Sequence, residues 1–181
     1  MALMIRAGLG MLPWDVLHYG IAAHLPLSIG VVVIVGSVVV LLLWIPLRQA
    51  PGLGTVANAV LMGVVLDAIL PRLEAPAPIA GKMVMLAAGV LLNAVATAMY
   101  IGSQLGPGPR DGLMTGLSRR TGLSLRLVRT ILEFGVVGLG WWLGGVVGVG
   151  TVVYALAIGP LTQWLLRALI VPLTRPDPTR T

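Results

Sequence analysis

Long apolar runs alternate with short polar connections along most of the chain. Five of these runs are long enough to cross the hydrocarbon core of a bilayer as helices, which takes roughly 17–25 residues. They cover residues 28–47, 54–70, 82–101, 124–143 and 148–170. Proline, glycine and charged residues fill the connections between them, as is typical of turns. The pattern therefore predicts an all-α, polytopic membrane protein with five spans.

Two further helices are predicted to be too short to span a membrane. Each follows a Gly/Pro-rich loop, LGMLPWD at residues 9–15 and LGPGPRD at residues 105–111. Pro13 and Pro109 fall in the first turn of these helices, where a proline costs no hydrogen bond. Asp15 and Asp111 follow two residues later, where a carboxylate offsets the positive end of the helix dipole.

The two loops mark the beginning of an internal repeat. Residues 9–67 align with residues 105–163 without a gap, at a shift of 96 positions, and 18 of the 59 aligned positions are identical. The identities include glycine, proline and aspartate, which have special backbone or charge roles. Each complete copy holds three spans, and an odd number of crossings inverts the second copy relative to the first. Two inverted three-helix repeats with short re-entrant or interfacial helices are a construction found in transporters.

The repeat also predicts a sixth span. The span at residues 82–101 precedes the second loop, and its counterpart would precede residue 9, but Met1 aligns with Thr97. We therefore expect that the chain lacks the first transmembrane helix of its first repeat. The predicted organisation is a single transmembrane domain at 1–171, with repeat A at 1–72 and repeat B at 80–171. A disordered cytoplasmic tail is predicted at 172–181.

Composition supports a membrane location. The chain is 57% apolar and 10% charged, whereas soluble domains carry about 25% charged residues. The absence of cysteine excludes disulfides and thiolate chemistry. Tryptophans near the predicted span ends are expected to form an interfacial belt. These tryptophans are Trp14, Trp44, Trp141, Trp142 and Trp164.

The basic residues predict the orientation of the chain. The net charge of +6 comes from arginines and one lysine at the ends of apolar runs, so it indicates topology rather than nucleic-acid binding. By the positive-inside rule, the more basic set of span ends is cytoplasmic. That set carries Arg48, Arg110, Arg119, Arg120, Arg126, Arg167, Arg175 and Arg180. A cytoplasmic C-terminus is therefore expected.

The repeated loops are the first candidate site. One interpretation is that Asp15 and Asp111 simply cap amphipathic helices that lie at the membrane interface. The other is that the two short helices are half-helices that line a central cavity, where Pro13, Pro109 and Arg110 would also face a ligand. A helix N-terminus preceded by such a loop can receive an anion or a polar ligand.

Charged and polar residues within the spans supply the remaining candidates. Asp67 ends a stripe of small residues in the second span, and Gln163 ends the equivalent stripe in the fifth; both stripes are interpreted first as packing faces. Asp67 is nevertheless a candidate, because an acid within a span faces protein or water. Arg129 and Glu133 are four residues apart and can pair on one helix face. They form either an interfacial ion pair or a buried substrate contact.

Several kinds of chemistry are disfavoured. His18 and His24 are six residues apart and have no cluster of acids beside them, so no metal site is predicted. No phosphate-binding loop, dinucleotide fingerprint or nucleophile–base set occurs. We therefore expect neither a cofactor nor an enzymatic activity.

The repeated LGxxPxD pattern and the later GxGT pattern carry a family resemblance. The segments RAGLGMLPWDVLH, PGLGTVANA and LGPGPRDGLMTGL resemble the YczE-like bacterial membrane proteins of the YczE/YyaS/YitT group. The resemblance covers nearly all of residues 1–171 and implies a multi-pass inner-membrane protein. It implies no substrate and no catalytic residues.

Two functions remain open at this point. The first is a transporter or permease for a small molecule or an ion, with a central site between the inverted repeats. The second is a non-transporting accessory or scaffold protein, because the small-residue faces serve helix association equally well. The expected partners are the lipid bilayer, a small-molecule or ion substrate, and a second copy or another membrane protein.

Overall fold

A computed structural model describes residues 1–169, and all regular secondary structure in that range is helical. Its α-helices are α1 (Ala2–Ala7), α2 (Pro13–Ala22), α3 (Ile29–Leu47), α4 (Leu53–Ile69), α5 (Ile79–Gly102), α6 (Pro109–Thr121), α7 (Leu125–Trp142) and α8 (Val149–Leu169). A 3-10 turn at Leu70–Arg72 follows α4. The all-α prediction is confirmed for this part of the chain. The predicted tail at 172–181 lies outside the described residues.

Local sequence signals account for the helix ends. Pro13 and Pro109 occupy the first turns of α2 and α6, as the loops predict. Ser28 and Ser124 cap α3 and α7, and each hydroxyl accepts a hydrogen bond from the backbone N–H three residues later, at 3.3 Å. The two serines are equivalent in the repeat. The same capping chemistry therefore starts the corresponding helix in both copies.

Four helices among the described residues are long and apolar enough to cross a membrane: α3, α4 with its 3-10 turn, α5 and α8. Of the five predicted spans, α7 is the exception. It has 18 residues, but Arg126, Arg129 and Glu133 make its first half too polar to qualify by composition. The prediction of five spans is thus confirmed for four.

Helix packing builds two cores. Helix α5 packs along α8 and α1, and buries Met4, Ala94 and Tyr154 between them. Helix α3 packs on α2, α4 and α6, and buries Trp44 with Leu113. The Trp44 side chain is 1% exposed, and its Nε1 donates to the Pro109 carbonyl at 3.0 Å.

The tryptophan belt is only partly correct. Trp141, Trp142 and Trp164 are largely exposed, as a lipid-facing belt requires. The prediction is wrong for Trp14 and Trp44, which are buried. The two rings pack with Val40 and Leu113 where the short helices α2 and α6 meet α3 and α7.

The two copies of the repeat make reciprocal contacts through their loops. The Gly150 N–H donates to the Leu9 carbonyl at 2.7 Å, and the equivalent Gly54 N–H donates to the Leu105 carbonyl at 3.1 Å. Thr151 accepts from the Met11 N–H at 3.1 Å. In the other half, the Thr55 hydroxyl donates to the Pro107 carbonyl at 2.6 Å. Each loop therefore sits on the beginning of a helix that belongs to the other copy.

Helix packing shows the same exchange between the two copies, but one pair of equivalent helices differs. Helix α2 of the first copy packs on α7 of the second, and α6 of the second packs on α3 of the first. Within the first copy, α3 and α4 pack closely along each other. The equivalent pair, α7 and α8, makes no comparable contact. The second hairpin is therefore splayed where the first is closed.

Candidate functional site

A cavity of about 590 Å³ lies at the meeting point of all helices from α2 to α8. Both short helices present their N-terminal residues to it, Leu12 and Pro13 from one copy and Gly108 and Pro109 from the other. The cavity is therefore framed by two helix N-termini, which carry partial positive charge. A second hollow, of about 470 Å³, is lined by Arg48, Arg119 and Arg120 beside the ends of α3 and α6.

Most of the residues singled out from the sequence converge on the central cavity. Seven of them line it: Pro13, Pro109, Arg110, Asp111, Arg129, Glu133 and Gln163. These residues come from four helices and span 151 positions of the chain, counting from 13 to 163. Two candidates do not line it. Asp15 lies buried behind the wall beside Arg110, and Asp67 lies at the far end of α4.

Asp15 belongs to a buried polar cluster. Its side chain is 1% exposed, and neither carboxylate oxygen accepts a hydrogen bond from any residue in the range 1–169. Arg110 Nη2 lies 3.6 Å from Asp15 Oδ1, and the Arg110 guanidinium lies over the Trp14 ring, 5.3 Å from its centroid. Burial raises the pKa of Asp15, and the charge of Arg110 opposes that rise.

His18 completes this cluster as a neutral base. Burial and the nearby Arg110 charge lower the pKa of His18 to about 3. Its Nδ1 lies 3.4 Å from Arg110 Nη2 and 4.0 Å from Asp15 Oδ1. The guanidinium is thus held between a carboxylate, a neutral imidazole and an indole ring. The Arg110 side chain remains 23% exposed and lines the cavity.

Asp111 has a different environment from its repeat equivalent Asp15. It is exposed at the cavity, and the Tyr100 hydroxyl donates a hydrogen bond to its Oδ2. The two equivalent aspartates therefore have different surroundings. Both do lie in the first turn of a short helix, as predicted. One is enclosed by protein and the other contacts the cavity.

Arg129 and Glu133 form the predicted ion pair, with Arg129 Nε 2.8 Å from Glu133 Oε1. Both residues line the cavity from α7. Glutamate 133 is equivalent to Ser37 in the repeat, and Ser37 lines the same cavity from α3. Equivalent positions of α3 and α7 thus face each other across the cavity.

Asp67 fixes the beginning of α3 instead of lining the cavity. Its Oδ1 accepts from the Gly30 N–H at 2.8 Å, and its Oδ2 accepts from the Ser28 hydroxyl. The small-residue stripe that it ends packs as predicted, with Thr55, Ala59 and Gly63 buried. The equivalent stripe of α8 differs. Ala155 is exposed, Gly159 has no neighbouring atom within 4 Å of where a Cβ would be, and Gln163 lines the cavity.

The sequence did not single out several polar residues of the cavity wall. They are Ser37, Asn58, Thr97, Tyr100, Tyr154 and Thr162. Asn93 Nδ2 donates to the Tyr154 hydroxyl at 2.7 Å. The repeat supplies a signal that could have found two of them, because Asn58 and Tyr154 are equivalent polar positions within otherwise apolar spans.

Some buried polar atoms around the cavity have no hydrogen-bond partner among the residues that the structure describes. Trp14 Nε1 and Thr162 Oγ1 are both enclosed without a hydrogen bond, and both residues belong to the cavity wall. Buried polar groups are usually satisfied by protein, water or ligand. No group of three or more histidine, cysteine or acidic residues suitable for a metal ion occurs in residues 1–169.

Comparison with known proteins gives relatives without an assigned activity. The sequence model of DUF6198, a family of unknown function, matches residues 1–167. An uncharacterized protein of Haemophilus influenzae is 41% identical over 167 residues, which cover 92% of this chain and 77% of the relative. The uncharacterized membrane protein YczE of Bacillus subtilis is 32% identical over 159 residues, covering 87% of this chain and 74% of YczE. No solved structure matches the chain.

Proposed function

Because the chain belongs to DUF6198, a family of unknown function, we propose its function from the geometry of the cavity. The protein is a permease for a small polar solute, which binds in the central cavity between the two repeats. The sequence resemblance to YczE-like proteins is confirmed, but it assigns no activity to the chain.

One observation carries the proposal: a polar cavity lies among helices whose outer faces are apolar. Its volume of about 590 Å³ falls within the roughly 300–1,000 Å³ of small-molecule sites. Ionisable residues within a membrane domain are expensive and mark substrate or ion pathways. Here Arg110, Asp111, Arg129 and Glu133 all face one cavity. This concentration of charge around one cavity favours a solute site over a role in helix association alone.

Reciprocal contacts support the predicted inversion of the repeats. When residue i of one copy contacts residue j of the other, and their equivalents exchange the same contact, the copies are related as in a two-fold interface. The loop bonds of Leu9 with Gly150 and of Leu105 with Gly54 follow this rule. A two-fold relation between odd-span units gives the inverted architecture of many secondary transporters. The inner membrane and a cytoplasmic C-terminus remain the orientation that the arginines favour.

The charges of the wall favour a solute that accepts hydrogen bonds. Glu133 is already paired with Arg129, and Asp111 already accepts from Tyr100. Among residues 1–169, Arg110 makes only long polar contacts, with Asp15 and His18, so its donors are incompletely used there. Two helix N-termini add positive potential near it. We therefore expect an oxygen-rich solute, oriented with its acceptor towards Arg110.

Solute uptake into proteoliposomes tests the proposal. The panel would contain radiolabelled carboxylates, amino acids, amines and sugars, with empty liposomes as the baseline. Tyr100→Phe removes the hydroxyl that holds Asp111 and should lower uptake several-fold. Tyr19→Phe is the matched control, because Tyr19 lies on α2 outside the cavity wall. Uptake that never exceeds the baseline, together with a stoichiometric membrane partner on purification, would establish the accessory role instead.

A further inference from the structure

We infer that the cavity communicates with one side of the membrane only, through the splayed α7–α8 hairpin, while the α3–α4 hairpin is a closed seam on the opposite side. This assignment rests on the proposed function, since it gives the route by which the solute enters. It is argued from differences between equivalent positions of the two hairpins, which do not depend on any solute.

Backbone contact closes the α3–α4 seam. A Cβ on Gly30 would overlap the Gly63 carbonyl oxygen, and a Cβ on Gly63 would overlap the Gly30 carbonyl oxygen. Only paired glycines allow helices to approach this closely. Asp67 adds a polar clasp at the same level, through the Gly30 N–H and the Ser28 hydroxyl. The seam is therefore closed by packing and by hydrogen bonds together.

The equivalent seam between α7 and α8 lacks each of these features. Arg126 occupies the position equivalent to Gly30, and Gln163 occupies the position equivalent to Asp67. Gly159, the equivalent of Gly63, has open space where its Cβ would be. Gly159 and Gln163 line the cavity from one side of the gap, and Arg129 and Glu133 line it from the other. The cavity thus extends into the space that the first hairpin fills.

Arg126 prevents this second seam from closing in the same way. If α7 approached α8 as α3 approaches α4, the Cβ of Arg126 would overlap the Gly159 carbonyl, by analogy with Gly30 and Gly63. A charged side chain would also have to be buried in the contact, at high cost. The difference between the two hairpins therefore follows from the sequence, through Arg126 at the position equivalent to Gly30.

The chain path places the two seams on opposite sides of the membrane. Ser28 begins α3, and three crossings by α3, α4 and α5 separate it from Ser124, which begins α7. The closed seam lies at the Ser28 end and the open seam at the Ser124 end. Arg119, Arg120 and Arg126 surround the Ser124 end. By the positive-inside rule this is the cytoplasmic side.

Site-directed thiol labelling tests the inference directly, because the chain contains no cysteine. Ser37→Cys places one thiol in the cavity wall on α3, with a nearly isosteric change. A charged, membrane-impermeant maleimide is applied to right-side-out and inside-out vesicles. We expect labelling from the cytoplasmic side to be at least ten-fold faster than labelling from the other side. Equal rates from both sides, or no labelling from either side, would overturn the inference.

A matched pair of variants then tests the seam itself. Gly63→Ala in the Ser37→Cys background forces α3 and α4 apart, so labelling from the second side should rise several-fold. Gly159→Ala makes the same chemical change at the equivalent position, where space is open, and should leave the sidedness unchanged. Equal responses of the two variants contradict the closed-seam assignment. The labelling requires no transported solute, so one-sided access without uptake would reject the permease proposal and retain this one.

Discussion

The Arg110 guanidinium lies over the Trp14 ring, 5.3 Å from its centroid, and the two residues occupy equivalent positions of the repeat. Each is the second residue of its short helix. The contact therefore joins one position of the repeat to its own equivalent, which is an indole in the first copy and a guanidinium in the second.

Removing the cation should expose the dependence of Asp15 on Arg110. Arg110→Ala leaves the enclosed Asp15 carboxylate without its counter-charge. Removing one partner of a buried ion pair costs about 3 kcal/mol of stability. We expect a lower melting temperature in detergent. Asp15→Asn combined with Arg110→Ala should recover much of the loss, because the amide carries no charge. A double variant as unstable as the sum of the single variants would show that the two residues are not coupled.

The reciprocal loop contacts should be of similar strength in both copies. Thr55 donates to the Pro107 carbonyl and Thr151 accepts from the Met11 N–H, and both threonines are buried. Thr151→Val leaves the buried Met11 N–H unsatisfied, and Thr55→Val leaves the part-buried Pro107 carbonyl unsatisfied. An unsatisfied buried group costs about 1–3 kcal/mol. Chemical or thermal unfolding in detergent measures both. If only one variant loses stability, the two contacts are not equivalent.

Gly112 should tolerate no side chain. It packs against the Trp44 ring, and a Cβ there would overlap the ring atoms. Gly112→Ala should therefore destabilise the protein by about 1–3 kcal/mol through overpacking and weaken the bond from Trp44 to the Pro109 carbonyl. Gly138→Ala is the control, because no atom lies within 4 Å of its Cβ position. That variant should be neutral or slightly stabilising.

The clasp of Asp67 gives a further matched comparison. Asp67→Ala removes the acceptor for the Gly30 N–H and the Ser28 hydroxyl, and we expect a loss of about 1 kcal/mol, as for a helix cap. Gln163→Ala changes the equivalent residue, which makes no such bond and faces the cavity. Its melting temperature should stay within a degree or two of the wild type. The reverse order of stabilities would mean that Asp67 does not hold the seam.

The positions of the helices follow from local sequence. Apolar runs, serine caps and first-turn prolines depend on residues within a few positions of each other, and the structure has helices at each predicted segment. The internal repeat adds information of longer range, because it relates residues that lie 96 positions apart. Because the same motif begins a short helix in each copy, the repeat identifies Asp15 with Asp111, and Pro13 with Pro109, as candidate site residues. Most of the cavity-lining candidates were found in this way.

Tertiary structure alone decided which of two equivalent residues is buried. Asp15 is enclosed while Asp111 meets the cavity, and Asp67 clasps α3 while Gln163 lines the wall. Trp14 and Trp44 lie near helix ends, but packing of the short helices buries both rings. Sequence pattern determines which face of a helix is apolar, because that property repeats every few residues. Which neighbour covers the face depends on residues 50–140 positions away, through contacts such as Met11 with Thr151, and no local pattern carries that information.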